Sequence, residues 1–158
     1  MNILKVALAA STLVLGSGAP MYAHADHASD HIHMVKTPSC GCCAVWADRL
    51  RQMGLDVTVS ENADYVAMKA EAGVPEAAWS CHTSRMGDYV LEGHVPPEAI
   101  EKLLAEAPDI TGIAVPGMPA GSLGMGYDPA ASYEVLAFEA NGDVLDTPFL
   151  VTGTPAAN

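Results

Sequence analysis

Three cysteines fall within four positions, Cys40, Cys42 and Cys43, and the fourth, Cys81, is followed directly by His82. Cys40 and Cys43 form a C-x-x-C pair. On the first turn of a helix, residues i and i+3 share a face, so these two sulfurs can meet. The unpaired N–H groups and positive partial charge of a helix N-terminus would favour thiolate over thiol there. Cys42 points about 100° away from its neighbours on a helix, so it does not simply join that pair. Its remaining partner is Cys81. Close-set thiolates are soft ligands that suit Cu(I) and can bridge more than one ion. Zinc would accept four thiolates, or three with His82. The plain alternative is two structural disulfides, for which four cysteines allow three connectivities.

A second group of residues has weaker claims. His94 follows Glu92-Gly93 and precedes Val95-Pro96. It is a candidate ligand, proton carrier or ligand orienter, but a histidine that holds the turn before a helix by hydrogen bonds explains it better. Met118 and Met125 lie on a Gly/Pro-rich stretch. Their thioethers suit Cu(I), whereas gap-filling methionines packed on a core are the commoner case. His27, His31 and His33, with Asp26 and Asp30, offer imidazole and carboxylate to Cu(II), but a solvated tail explains them better. Trp46 and Trp79 read as core or site-covering aromatics.

The elements that must position these groups are legible in outline. Ile32 to Lys36 reads as a strand stopped by Thr37-Pro38. Ser39 is placed to cap a helix from Cys40 to Met53, with Val45, Trp46, Leu50 and Met53 inward and Gly54 ending it. Leu55 to Ser60 alternates as a half-buried strand does. Asn62 is placed to cap a helix over Ala63 to Ala72, closed by Gly73-Val74-Pro75. Ala78 to Thr83 and Tyr89 to Glu92 are candidate strands. Pro96-Pro97 opens a helix near Glu98 to Ala107, with Ile100, Leu103 and Leu104 inward. Residues 108–126 read as one long Gly/Pro/Met loop, of a length that is usually functional or mobile. Tyr133 to Glu139 and Val144 to Val151 flank Asn141-Gly142, a hairpin signal. The predicted order β-α-β-α-β-β-α-β-β implies a single α/β domain with a mixed sheet flanked by helices and an added C-terminal β-hairpin.

Charge and targeting narrow the function class. Seven Lys and Arg stand against 19 Asp and Glu, a formal charge of -12, and aromatics are 6%. That balance argues against nucleic acid as a partner. Lys5, the apolar run from Val6 to Leu15 and Ala23-His24-Ala25 read as a signal peptide over residues 1–25, cleaved before Asp26. Ten apolar residues rise ~15 Å, about half of a bilayer core, so a spanning anchor is not expected, nor is membrane insertion after cleavage. The expected organisation is then a flexible His/Asp-rich start over 26–31, a domain over 32–152 and a tail over 153–158. A bacterial periplasmic location follows, where exposed thiols are oxidised unless paired, redox-active or metal-bound.

The Cys40–Cys43 segment resembles the active-site segment of thioredoxin-like folds, in which the first cysteine attacks and the second resolves. Further motifs extend the resemblance. Lys36-Thr37-Pro38-Ser39-Cys40-Gly41-Cys42-Cys43 is followed by Gly73-Val74-Pro75 and Ser80-Cys81-His82-Thr83, then by Tyr89 to Pro96 and Gly112 to Pro119. In this order they resemble the CopG-type proteins of bacterial copper-resistance loci, over about residues 34–150. The resemblance implies a periplasmic, thioredoxin-like domain that binds copper through cysteines and handles its redox state. Its ligands would be Cys40, Cys42, Cys43 and Cys81, with His82 a weaker candidate. Copper ions, and other periplasmic copper-handling proteins, would be the partners. One departure is Leu123, where relatives tend to have Pro. Two rival functions stay open: a thiol–disulfide oxidoreductase using Cys40 and Cys43, and a structural disulfide domain that acts as an interaction module.

Overall fold

The computed structural model describes residues 31–153. The predicted signal peptide, Asp26, His27, Asp30 and the end of the tail lie outside that range. The strands are β1 (His31–Lys36), β2 (Asp56–Glu61), β3 (His82–Met86), β4 (Tyr89–Glu92), β5 (Gly112–Ala114), β6 (Tyr133–Phe138) and β7 (Leu150–Thr152). The helices are α1 (Gly41–Gln52), α2 (Tyr65–Ala72) and α3 (Pro97–Glu106). All seven strands form one sheet in the order β2-β1-β3-β4-β5-β6-β7. The β1–β2 and β4–β5 pairs are parallel and the others antiparallel, so the sheet is mixed, as predicted.

Alternation along the strands sends side chains to two cores. On one face Ile32, Met34, Met86, Leu91, Ile113 and Val135 pack with Trp46, Ala47 and Leu50 of α1 and with Ala99, Ile100 and Leu103 of α3. On the other, Val90, Ala114 and Phe138 pack with Ala72 at the end of α2 and with Val74 and Ala78. Trp79 joins this second core, its indole N–H bonded to the Val74 carbonyl at 3.0 Å.

Several boundaries differ from the sequence reading. Cys40, not Ser39, is the N-cap of α1, and its side chain makes no capping bond. Val45 and Met53, expected inward, are 43% and 59% exposed, because the buried stripe runs through Cys43, Trp46, Ala47 and Leu50. Asp64 caps α2 by accepting from the Ala67 N–H, while the Asn62 side chain accepts from Asp64 N. The strand expected over 78–83 begins at His82, and a single 3-10 turn occupies Glu76–Ala78.

The predicted loop over 108–126 contains β5. Its glycine lets the β4 backbone come close: a Cβ on Gly112 would lie 2.2 Å from the Val90 carbonyl oxygen. The Asn141-Gly142 turn forms, with Gly142 at φ 89°. The returning strand is broken, however. Val144 bridges to Phe138, Leu145 and Phe149 donate to the Ala137 and Val135 carbonyls, and regular pairing resumes only at Leu150. Pro148 lacks the N–H that an unbroken ladder would need.

Gly112→Ala is expected to lower the unfolding free energy by about 3 kcal/mol through overpacking against Val90 and Phe138. Gly142→Ala, with open space around its Cβ but a positive φ, should cost about 1 kcal/mol. Urea denaturation midpoints at an unchanged slope measure both.

Candidate metal centre

The turn into α1 is held from below. The Lys36 ammonium, at the end of β1, donates to the carbonyls of Thr37 (3.1 Å) and Pro38 (3.3 Å) and to Glu61 of β2 (2.9 Å). The Cys40 N–H donates to the Thr37 carbonyl at 3.1 Å, which closes the turn. Cys40 and Cys43 are joined by a disulfide with their Cα atoms 5.4 Å apart, and Cys42 and Cys81 are free. One disulfide and two thiols are therefore present, not the two structural disulfides of the plain alternative.

The sheet register delivers the fourth cysteine. Lys36 of β1 pairs with His82 of β3, so Cys81 enters beside the start of α1. The sulfurs of Cys40, Cys42, Cys43 and Cys81 all lie within 4.8 Å of one another. Cys40 and Cys42 are 3.6 Å apart, and the Cys43 sulfur is 3.8 Å from the Cys81 carbonyl oxygen. Cys43 is fully buried while the other three are partly exposed, so solvent or a small ion reaches the cluster from one side. Burial, then the neighbouring Cys42, pushes the Cys81 thiol up to about 12.

A second cluster overlaps the first. Ligand atoms of Cys81, His82 and His94 also lie within 4.8 Å of one another. His94 is fully buried and spoken for at both nitrogens. Its Nδ1 lies 2.6 Å from the Leu123 carbonyl oxygen and its Nε2 2.9 Å from the Cys81 sulfur. A carbonyl only accepts, so Nδ1 carries the proton, and in the neutral ring Nε2 takes the thiol hydrogen of Cys81. The side-chain bonds of His94 thus run not within its own turn but to the Leu123 loop and to the cysteine cluster, neither of which sequence spacing reveals.

His82 is buried against Trp46, ring centroids 4.6 Å apart, with His94 edge-on at 5.2 Å. Its Nδ1 lies 3.4 Å from the Cys81 sulfur, and its Nε2 has no hydrogen-bond partner among the described residues. A buried polar atom without a partner is costly, so this nitrogen is chemically open. Burial, then His94 and the Lys69 ammonium, hold the His82 pKa well below its usual value. Burial also lowers that of His94, against the opposing pull of the Leu123 carbonyl.

Leu123 and Gly124 close one side of the site. A Cβ on Gly124, which has φ +95°, would lie 2.8 Å from the Cys42 carbonyl oxygen and 3.2 Å from His94 Nδ1. Only glycine lets the loop lie this close to α1. The Leu123 contact is made by its carbonyl, so the departure from Pro at this position leaves it intact. Trp46, behind His82, takes the site-covering place read for it, whereas the roles of Leu123 and Gly124 are visible only in the structure. The Gly-rich composition of the loop was the available signal.

The remaining candidates lie elsewhere. Met118 is 55% exposed, and Met125 is partly exposed on the loop just after Gly124. His31 and His33 belong to β1, where their Nε2 atoms bond the hydroxyls of Thr58 and Ser60 on β2, each at 3.0 Å. No helix among the described residues is long and apolar enough to cross a membrane.

Comparison with known proteins gives a consistent picture. The family described as "Protein of unknown function, DUF411" matches residues 78–125. Two solved structures titled "Copper resistance protein copG", Form 1 and Form 2, are 36% and 37% identical in sequence, each at a TM-score of 0.70. Form 1 covers 78% of this chain and 98% of its own, and Form 2 covers 77% and 97%. No curated protein matches the chain.

The two lowered histidines set a pH dependence for the protein with its Cys40–Cys43 disulfide. In the unfolded chain they take up protons near 6.5, and in the folded protein they resist doing so. The unfolded state therefore binds more protons below about pH 6.5, and stability falls as pH drops through that range. Urea unfolding at pH 7.5 and 5.5 should show a loss that is smaller in His82→Gln.

Proposed function

The chain belongs to the family of the copper resistance protein CopG, and on that premise we propose that it is an exported, periplasmic copper-binding protein that captures Cu(I) through Cys40, Cys42, Cys43 and Cys81. The observation that carries this reading is the convergence of four sulfurs within 4.8 Å at the start of a helix. The donor chemistry fits a soft monovalent ion, and the Nδ1 of buried His82, 3.4 Å from the Cys81 sulfur, adds a nitrogen beside it. Zinc accepts the same four thiolates and is the competing ion. The four-strand unit β2-β1-β3-β4, with the cysteine helix following β1, supports a thioredoxin-like description of the domain.

Capture by all four sulfurs requires the Cys40–Cys43 disulfide to open. A dithiol reductant would supply two electrons and two protons, giving two thiols here and a disulfide on the reductant. Each thiol that then binds as thiolate releases its proton. His94 Nε2 is placed to take the Cys81 proton, with its ring oriented by the Leu123 carbonyl. Binding and thiol redox state are thereby linked in one site.

The disulfide itself supports a second reading, thiol–disulfide exchange with other proteins through Cys40 and Cys43. The free thiols Cys42 and Cys81 weigh against it, since they would divert a mixed disulfide at such short range.

Fully reduced protein, titrated anaerobically with Cu(I) against a competing chelator, should bind at least one equivalent. A variant with all four cysteines changed to Ser should lose that binding. Sub-stoichiometric binding, or equal binding by the variant, overturns the copper reading. Insulin reduction that persists in Cys42→Ser and Cys81→Ser but stops in Cys40→Ser would favour the oxidoreductase.

A further inference from the structure

Beneath the cysteine cluster lies a charged pair that the copper chemistry does not use. Lys69 of α2 and Glu92 of β4 meet at 2.5 Å, and neither side chain has any exposed surface. Withdrawing two charges from water is expensive, and an apolar pair of similar volume often serves stability as well or better. This pair has a more specific task, visible in where its remaining bonds go.

The Glu92 carboxylate grips two points of one segment. Its Oε1 accepts the Ser80 N–H at 2.6 Å, and its Oε2 accepts the Thr83 hydroxyl at 2.6 Å. Lys69 also donates to the Thr83 hydroxyl oxygen, at 3.3 Å. Ser80 and Thr83 bracket Cys81-His82. The rest of the segment is tied as well. The Tyr65 hydroxyl donates to the Ser80 carbonyl, the Ser80 hydroxyl donates to the Gly117 carbonyl, and the Gly93 N–H donates to the His82 carbonyl at 2.8 Å. Lys69 is steadied in turn by the Tyr65 ring, 4.4 Å from its nitrogen. The Cys81 sulfur takes part in none of these bonds. The segment is anchored on both sides of a thiol that stays available.

We propose that Lys69 and Glu92 are positioning residues: acting through Ser80 and Thr83, they hold Cys81 at the distance from Cys42 and its neighbours that a shared site needs. The inference rests on Cys81 being a working member of the proposed copper site. Its test requires no copper.

In a Cys40→Ser/Cys43→Ser background, Cys42 and Cys81 are the only thiols of the chain. With glutathione disulfide they form one Cys42–Cys81 disulfide and release two glutathione thiols. The equilibrium constant of that reaction reports how well the fold presents Cys81 to Cys42. Thr83→Val removes one grip of Glu92 and leaves the ion pair; it should lower the constant roughly tenfold, the worth of a hydrogen bond to a charged group. Thr83→Ser, which restores the hydroxyl, should return it to the parent value. The double variant Lys69→Met/Glu92→Leu should lower it at least as far as Thr83→Val does. Near-UV circular dichroism verifies that this variant is folded, and if it is not, the Val and Ser variants decide alone.

Constants within twofold of the parent for Thr83→Val would overturn the proposal. So would failure of any Cys42–Cys81 disulfide to form in the parent background. Strong thiol coupling in a protein that binds no Cu(I) would sink the copper reading and leave the positioning intact. Normal Cu(I) binding with unchanged thiol coupling would do the reverse.

Discussion

The pairing of Lys36 with His82 across β1 and β3 is the constraint on which the site depends. β1 ends in the turn that starts the cysteine helix, and β3 begins just after Cys81, so this one register brings the two cysteine segments together. Side chains alternate faces along a strand. A slip of one residue would turn His82 away from Trp46 and carry Cys81 out of reach of α1. The register is well specified because Met34 and Met86 of the same two strands are fully buried on one face. The apolar core thus sets the geometry of a polar site.

Around that constraint the protein spends its polar groups on the two cysteine segments. Lys36 binds the carbonyls that precede Cys40, Glu92 grips both sides of Cys81, and the Leu123 carbonyl orients His94. None of these groups is a sulfur ligand, yet each fixes the direction in which one presents itself. Buried polar networks of this kind are stable only when their members are satisfied. Among the described residues, the exception within the cluster is His82 Nε2.

Much of this was legible in the residues. The C-x-C-C spacing at a strand-to-helix transition and the isolated Cys81-His82 pointed to one site, and the periodicity of the three helices placed them within a few residues. What was not legible was non-local. β5 is three residues long and lies within a Gly/Pro-rich stretch, so no local pattern distinguishes Gly112-Ile113-Ala114 from loop. β3 is Thr- and Ser-rich where it crosses the core, because Thr83 faces the Lys69–Glu92 pair. Its polar sequence therefore hid a central strand and shifted the expected element toward Ala78. Lys69, in an alanine-rich helix, carried no mark of complete burial; its partner is 23 residues away. Val45 and Met53 misled in the opposite sense, as exposed apolar residues on the flank of α1.

The loop over the site has an evolutionary consequence. Its contact with His94 is made by the main chain of Leu123, and its close approach to α1 is permitted by the absence of a side chain at Gly124. The bond to His94 therefore reads position 123 through backbone shape alone, while the Leu123 side chain packs on the core, and position 124 is read through steric exclusion. Leucine and proline can exchange at 123 without touching the imidazole, whereas almost any mutation at 124 pushes the loop off the helix. Two adjacent codons, equally near the sulfur cluster, are under unequal constraint.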